Sequence, residues 1–383
     1  MPHREKSRRG ILALGADITM TPSLVTRRNF LAGSAAGLLV PQARLWAGPQ
    51  KTIEFRRGGM TYRRLGQTDL YPSLLSFGSH TDPADRVKAP NGTVLTAAGQ
   101  TRRDRIVAHA FDLGVNLLDV YANEGQWEPA ARSVQGRRDR ILISLAHDVS
   151  AQDIDHACKV FSGHVDLYRF HTAEIDGPAL ENWDVLRKAK EAGKIRAIGI
   201  ATHIERTMCE ALKQLEGIDY LFFPYNFIHA RADYSEFLPE AQRRGIGLIA
   251  MKPLASGSIM KLDPRRRPGE HPELEELQLW QTNSKPILPA AVAELTKTLG
   301  RLPDETLCMA AMRFVFSRPF VSTAIAGMFE DRLLQDNYQA LTRAGAMTRE
   351  EQAALGAARD VAQLLRAKWL PEHYRWLEEQ WRG

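Results

Sequence analysis

One unit recurs along this chain and limits what it can fold into. A charged helical stretch closes on glycine, a short apolar run follows, and polar residues stand where that run stops. Gly193-Lys194-Ile195-Arg196-Ala197-Ile198-Gly199-Ile200-Ala201-Thr202-His203 shows it most fully. Runs of this kind are predicted as strands over Leu74–Gly78, Asn116–Asp119, Arg140–Leu145, Val165–His171, Ile195–Ile200, Tyr220–Phe223, Gly247–Met251 and Phe320–Ile325. Most are separated by helical stretches, such as Thr101 to Leu113 before the stop at Gly114. Eight strands alternating with helices predict an α/β fold, a (β/α)8 TIM barrel, whose ligands bind at the carboxyl ends of the strands.

Around that body the sequence predicts four accessory parts. Residues 48–59 read as a basic linker, and Met60 to Leu70 as a hairpin with its turn near Gly66. Residues 79–100, rich in Pro and Gly, read as a loop, and 252–286, with Arg265-Arg266-Arg267, as a long loop over the barrel mouth. The barrel is expected over 60–345. Residues 346–383 are expected to form a helical extension whose Trp369, Tyr374, Trp376 and Trp381 pack back on it.

The net charge of +6 is concentrated at the start of the chain. Residues 1–47 hold seven Lys/Arg against Glu5 and Asp17, leaving 44 basic and 43 acidic residues in the remainder. A nucleic-acid partner therefore has no electrostatic footprint in the folded part. Thr26-Arg27-Arg28-Asn29-Phe30-Leu31, followed by the mild apolar run to Val40, reads as a twin-arginine signal with cleavage near Ala47. It implies the twin-arginine translocase as a transient partner and a periplasmic or other extracytoplasmic location. Changing Arg27-Arg28 to Lys-Lys is expected to keep the precursor inside. The apolar run is too short for a stable membrane span. Cys158, Cys209 and Cys308 are widely spaced with no CxxC, so they read as plain thiols and no metal site is expected.

In order and spacing, several segments resemble the aldo/keto reductase family over roughly residues 60–345. They are Tyr62-Arg63-Arg64-Leu65-Gly66 with Leu75-Ser76-Phe77-Gly78, Gly114-Val115-Asn116-Leu117-Leu118-Asp119, Val165 to His171, Gly193 to His203, and Pro224-Tyr225-Asn226. Gly245 to Leu254 and Ala326-Gly327 through Asp336-Asn337 complete them. The resemblance implies a nicotinamide cofactor, NADP or NAD, and a small-molecule carbonyl or sugar-like substrate. It also implies a tyrosine proton donor, tuned by a lysine and an aspartate, with a histidine orienting the substrate. A donor is needed because negative charge builds on oxygen as hydride reaches carbon.

Asp119 and His171 match the family's aspartate and histidine. The tyrosine position falls on Glu124, with Tyr121 nearby as the alternative source of a phenol, and the lysine position on Ala146 or a neighbour such as His147. The Ser-Asn pair that holds the nicotinamide amide aligns with Ala201-Thr202, next to His203, and the glutamine with Phe222. Lys252, Gly327, Asp336 and Asn337, together with Tyr225, are the remaining cofactor candidates. Glu330 stands where a cation for a 2′-phosphate is usual. Three functions stay open at this point. One is an oxidoreductase. Another is a redox-inactive barrel doing lyase- or isomerase-like acid–base chemistry with Asp119, Glu124 and His171. The last is a catalytically silent binding protein.

Overall fold

The eight apolar runs become eight parallel strands. A computed structural model describes residues 52–89, 92–121, 124–227, 229–255, 305–343, 347–353 and Trp381; the side chains of Tyr121 and Glu124 are outside that description. The segment read as a signal over 1–47, the loop expected over 252–286 beyond Ala255, and most of the residues expected to form the C-terminal extension likewise lie outside the described residues. The barrel strands are β3 (Leu75–Gly78), β6 (Leu117–Tyr121), β7 (Leu142–Ala146), β8 (Val165–His171), β9 (Ile195–Ala201), β10 (Tyr220–Pro224), β11 (Gly247–Met251) and β12 (Thr323–Gly327). They close in chain order, β12 pairing back on β3 through Ile325↔Ser76 and Gly327↔Gly78.

Helices return the chain between strands, and side chains close several of their first turns. Thr96 Oγ1 accepts from Gly99 N at 3.0 Å, Ser150 Oγ from Asp153 N at 3.0 Å, and Asp176 Oδ1 from Ala179 N at 2.9 Å. Each such cap contributes about 1 kcal/mol. Alternate strand residues face the barrel axis. Leu117, Leu167, Ala197, Tyr220, Phe222 and Ile249 fill the interior, while Tyr168, Phe170 and Phe223 join the larger core between strands and helices.

Two accessory hairpins differ from expectation. β1 (Glu54–Arg57), in the stretch read as linker, pairs with β2 (Met60–Arg63) around Gly58-Gly59. The turn near Gly66 is present as well: Leu65 N donates to Leu70 O at 2.9 Å and Arg63 N to Pro72 O at 3.1 Å. Leu65 and Leu70 enter the interior cluster and plug the amino end of the barrel. Within 79–100, β4 (Arg86–Ala89) pairs with β5 (Gly92–Leu95). The Pro90-Asn91 that made this stretch look like loop stands between the two strands.

At the C-terminal end, Trp381 is buried, its ring edge-on to His229 at 4.8 Å and its carbonyl accepting from Glu205 N at 2.7 Å. That agrees with the expectation for Trp381, while Trp369, Tyr374 and Trp376 lie outside the described residues. Among the described residues none of the three cysteines is joined in a disulfide. Among the described residues no helix is long and apolar enough to cross a membrane, and no group of three or more His, Cys, Asp or Glu could hold a metal ion.

Candidate active site at the carboxyl ends of the strands

Asp119, the third residue of β6, is fully buried inside the barrel. Its carboxylate is held by three donors. Ser144 Oγ donates to Oδ1 at 2.6 Å, Arg169 Nη1 to Oδ1 at 2.7 Å and Arg169 Nη2 to Oδ2 at 3.0 Å. Ser144 also accepts from Arg169 Nη1 at 2.8 Å, closing a three-membered network. The guanidinium lies over the Phe222 ring, 3.9 Å from its centroid. Burial alone would pull the Arg169 pKa down, but the Asp119 charge and its hydrogen bonds outweigh burial and hold it above the usual value. The bidentate fork is the geometry that makes a buried pair tenable.

The barrel makes room for this network at Gly199, the register partner of both Arg169 and Tyr220. A Cβ there would stand 2.4 Å from the Tyr220 carbonyl oxygen and 2.8 Å from its ring. The Tyr220 ring occupies that space. Its hydroxyl is close enough to feel the guanidinium charge, but among the described residues it makes no hydrogen bond and Arg169 Nε likewise finds no acceptor. Burial, only partly offset by Arg169, raises the Tyr220 pKa, so the phenol keeps its proton. Having no exposed surface, it cannot donate to a substrate.

His171 ends β8 on the same side of that strand as Arg169. Its Nε2 is 3.0 Å from His203 Nδ1, across the ends of β8 and β9. Burial, then the charges of Arg169 and Lys252, lower the His171 pKa below its usual value, so the ring is neutral at pH 7. His80, just after β3, is lowered by burial and by Arg86, Lys252 and Arg103, with Asp119 pulling the other way. Asp119, Arg169, His171, His203 and His80 thus form one electrostatic unit at the barrel mouth.

The other candidates fall in several places. Tyr121 ends β6, and Glu124 begins the 3-10 turn Glu124–Gln126. Thr202 is buried, its Oγ1 accepting from Ile204 N at 3.3 Å. Lys252 follows β11 with φ 52°, a left-handed conformation that its carbonyl stabilises by accepting from Asn226 Nδ2 and Ala255 N, both at 2.9 Å. Burial lowers its ammonium pKa. Gly327 ends β12 against the His80 side chain, where a Cβ would come within 3.0 Å of His80 Cβ. Asp336 lies one turn from Arg332 in the helix Asp331–Thr342, at 3.7 Å. Its neighbour Asn337 is buried, and the Asn337 Nδ2 has no hydrogen-bond partner among the described residues.

Two candidates are corrected. Tyr225 does not face the pocket: it stacks on Phe314 at 5.7 Å, is edge-on to Phe320, and donates its hydroxyl to Asp233 Oδ1 at 2.7 Å. One residue beyond Pro224, it falls on the outer face with Phe223 rather than with Phe222. His147 is turned outward too, its ring edge-on to Trp127 at 5.0 Å, so the interior position is Ala146. Sequence reading passed over Arg169, although the signal was present. It stands two before His171, so it shares the inward face of β8, and an arginine there needs a buried partner.

The profile of the Aldo/keto reductase family matches residues 96–359. L-glyceraldehyde 3-phosphate reductase of Escherichia coli (strain K12) is 23% identical over 336 residues, 77% of this chain and 91% of that protein. L-galactose dehydrogenase of Arabidopsis thaliana is 24% identical, over 73% of this chain and 88% of that enzyme. Among solved structures, the holo form of aldo-keto reductase AKR11C1 from Bacillus halodurans superposes with a TM-score of 0.59 at 22% identity, covering 78% of this chain and 96% of that one. The eight-stranded closed barrel and this match to well over half the sequence lead to one conclusion: the chain belongs to the aldo/keto reductase family.

Proposed function

We propose that this chain is an oxidoreductase of small carbonyl or sugar-like substrates that works with NADP or NAD at the carboxyl mouth of its barrel. What carries the reading is the interior face of β8, where Arg169 fixes the buried Asp119 carboxylate and a neutral His171 stands beyond it, paired with His203. Two relatives whose names place them on a sugar or a sugar phosphate support the substrate class. Their activities do not favour a barrel limited to acid–base work or to binding.

The residues present fit a dinucleotide best at the adenosine end. Asn337 offers a buried amide with an unused donor, Gly327 closes β12 without a side chain, and Lys252 brings a cation to the end of β11. When bound, the nicotinamide supplies hydride. This chain's own residues then serve the carbonyl: the His171–His203 pair orients its oxygen, and the segment after β6 supplies the proton. There Glu124 holds the family's tyrosine position and Tyr121 ends the strand. A positioned acid at that point contributes roughly 10²–10⁴ in rate.

The test is to purify the protein from its native host, denature it and identify any nucleotide released, then to titrate the emptied, refolded protein with NADPH and NADH by fluorescence. Stoichiometric NADP or NAD, or saturable quenching by either reduced form, is expected. A protein that releases none and quenches neither would sink the reading.

A further inference from the structure

Two departures from the family pattern meet beside Arg169. Ala146 stands where the resemblance expects a lysine, Phe222 where it expects a glutamine, and Arg169 enters the interior between them. Ala146 and Arg169 are register partners on β7 and β8, on the same interior side. Phe222 lies under the guanidinium at 3.9 Å. A lysine at 146 would set a second cation beside Arg169 against the single Asp119 carboxylate. A glutamine at 222 would take away the aromatic face on which the guanidinium rests.

We propose that Arg169 is the positioning residue of this site. It supplies to Asp119, from the fourth barrel strand, the cation that the family takes from a lysine at the end of the third, while Ala146 leaves the room and Phe222 the face that seat it. The proposal rests on the oxidoreductase reading for its consequence in turnover, but not for its geometry. Arginine differs from lysine here in a useful way. Its fork grips both carboxylate oxygens, and it stays charged at any pH the protein survives, whereas a buried lysine readily loses its proton. The charge reaches the mouth through His171, two residues along the same strand, which also faces Lys252 and His203.

The experiment compares the full-length protein with Arg169→Met and with Arg169→Met/Ala146→Lys, which moves the cation back to the third strand. Two readouts are taken on molecules shown to be folded by circular dichroism: reduction of 4-nitrobenzaldehyde with NADPH or NADH, and the titration of His171 followed by NMR. Arg169→Met is expected to lower kcat/KM by about 10²-fold and to move the His171 titration upward. Adding Ala146→Lys is expected to recover at least about tenfold of that loss, which a site merely damaged in packing would not do, and to bring His171 back down. If the double variant matches the single in both readouts, Arg169 is structural and the proposal fails. If the wild type binds neither NADPH nor NADH and reduces nothing, the functional reading fails, and the His171 titration alone decides. Its return in the double variant upholds the exchange of cations, and its failure to return overturns it.

Discussion

Two of the buried carboxylates that arginine neutralises, Asp166 and Asp119, separate by their contrast what folds this protein from what it works with. Asp166 sits near the amino end of β8 on the strand's outer side. It accepts from Arg196 Nη1 at 2.8 Å and Ile143 N at 2.9 Å and pairs with Arg138 Nη1 at 2.7 Å. It pins the amino ends of β7, β8 and β9 together, and both arginines still reach solvent, by 13% and 37% of their side chains. Asp119 is answered inside the barrel by a guanidinium with no such outlet, 2% exposed. A buried pair of that kind is poor evidence of stabilisation, because desolvation consumes much of what Coulomb attraction gives. At the amino face of a barrel charge clusters serve stability; at the carboxyl face they serve chemistry.

Removing one partner from each centre should give the largest effects and the clearest separation. Asp119→Ala strands a buried guanidinium and is expected to cost about 3–5 kcal/mol. Asp166→Ala leaves arginines that can turn to water and should cost less, about 1–3 kcal/mol. Only the first should reduce turnover per folded molecule. Urea melts and steady-state rates on the same preparations check both halves. Equal loss of turnover in the two variants would erase the distinction between the faces.

A smaller effect tests the outward placement of Tyr225. Tyr225→Phe removes the hydrogen bond to Asp233 and is expected to cost about 1 kcal/mol. NADPH affinity should not change, since the ring packs against Phe314 and Phe320 away from the interior. A tenfold weakening of nucleotide binding would return Tyr225 to the site.

How far such placements can be read from the sequence depends on the strength of the local signal. All eight barrel strands were legible, because each apolar run is bounded by glycine or polar residues and lies buried on both faces. The expected Val165–His171 and Gly247–Met251 agree with the observed bounds. β12 runs later than expected, Thr323–Gly327 instead of Phe320–Ile325, because Phe320 and Val321 are buried before strand pairing begins. The accessory hairpins were misjudged for a physical reason: four-residue strands with few apolar residues resemble loop until they find a partner. Asp119 and His171 could be found through the family pattern. Arg169 could not, since pattern matching looks for the expected cation at its own position and not on the adjacent strand. Register made the substitution visible: Ala146 and Arg169 lie side by side although 23 residues apart in the chain.

The smallest expected effect divides the two centres along the pH axis. Burial and the neighbouring cations hold His171 and His80 below the usual 6.5, so the folded state favours their neutral forms. Between 6.5 and the lower folded values the unfolded chain binds more protons than the folded one, and stability must fall as pH falls. This contribution is complete above 6.5 and gone once both rings are protonated in the fold. Burial pushes the Asp166 carboxyl up, but His164, Arg138, the Ile143 amide and Arg196 together hold it below 3.8, so its contribution survives until much stronger acid. The urea midpoint, followed downward from pH 8 at constant ionic strength, should therefore drop first below 6.5, from the mouth, and again only below 3.8, from the amino face. Arg169→Met removes one of the charges that depress His171, so it should shrink the first step and leave the second in place. A first step of unchanged size in that variant would mean that burial alone sets the histidine, and that the guanidinium does not govern charge at the mouth.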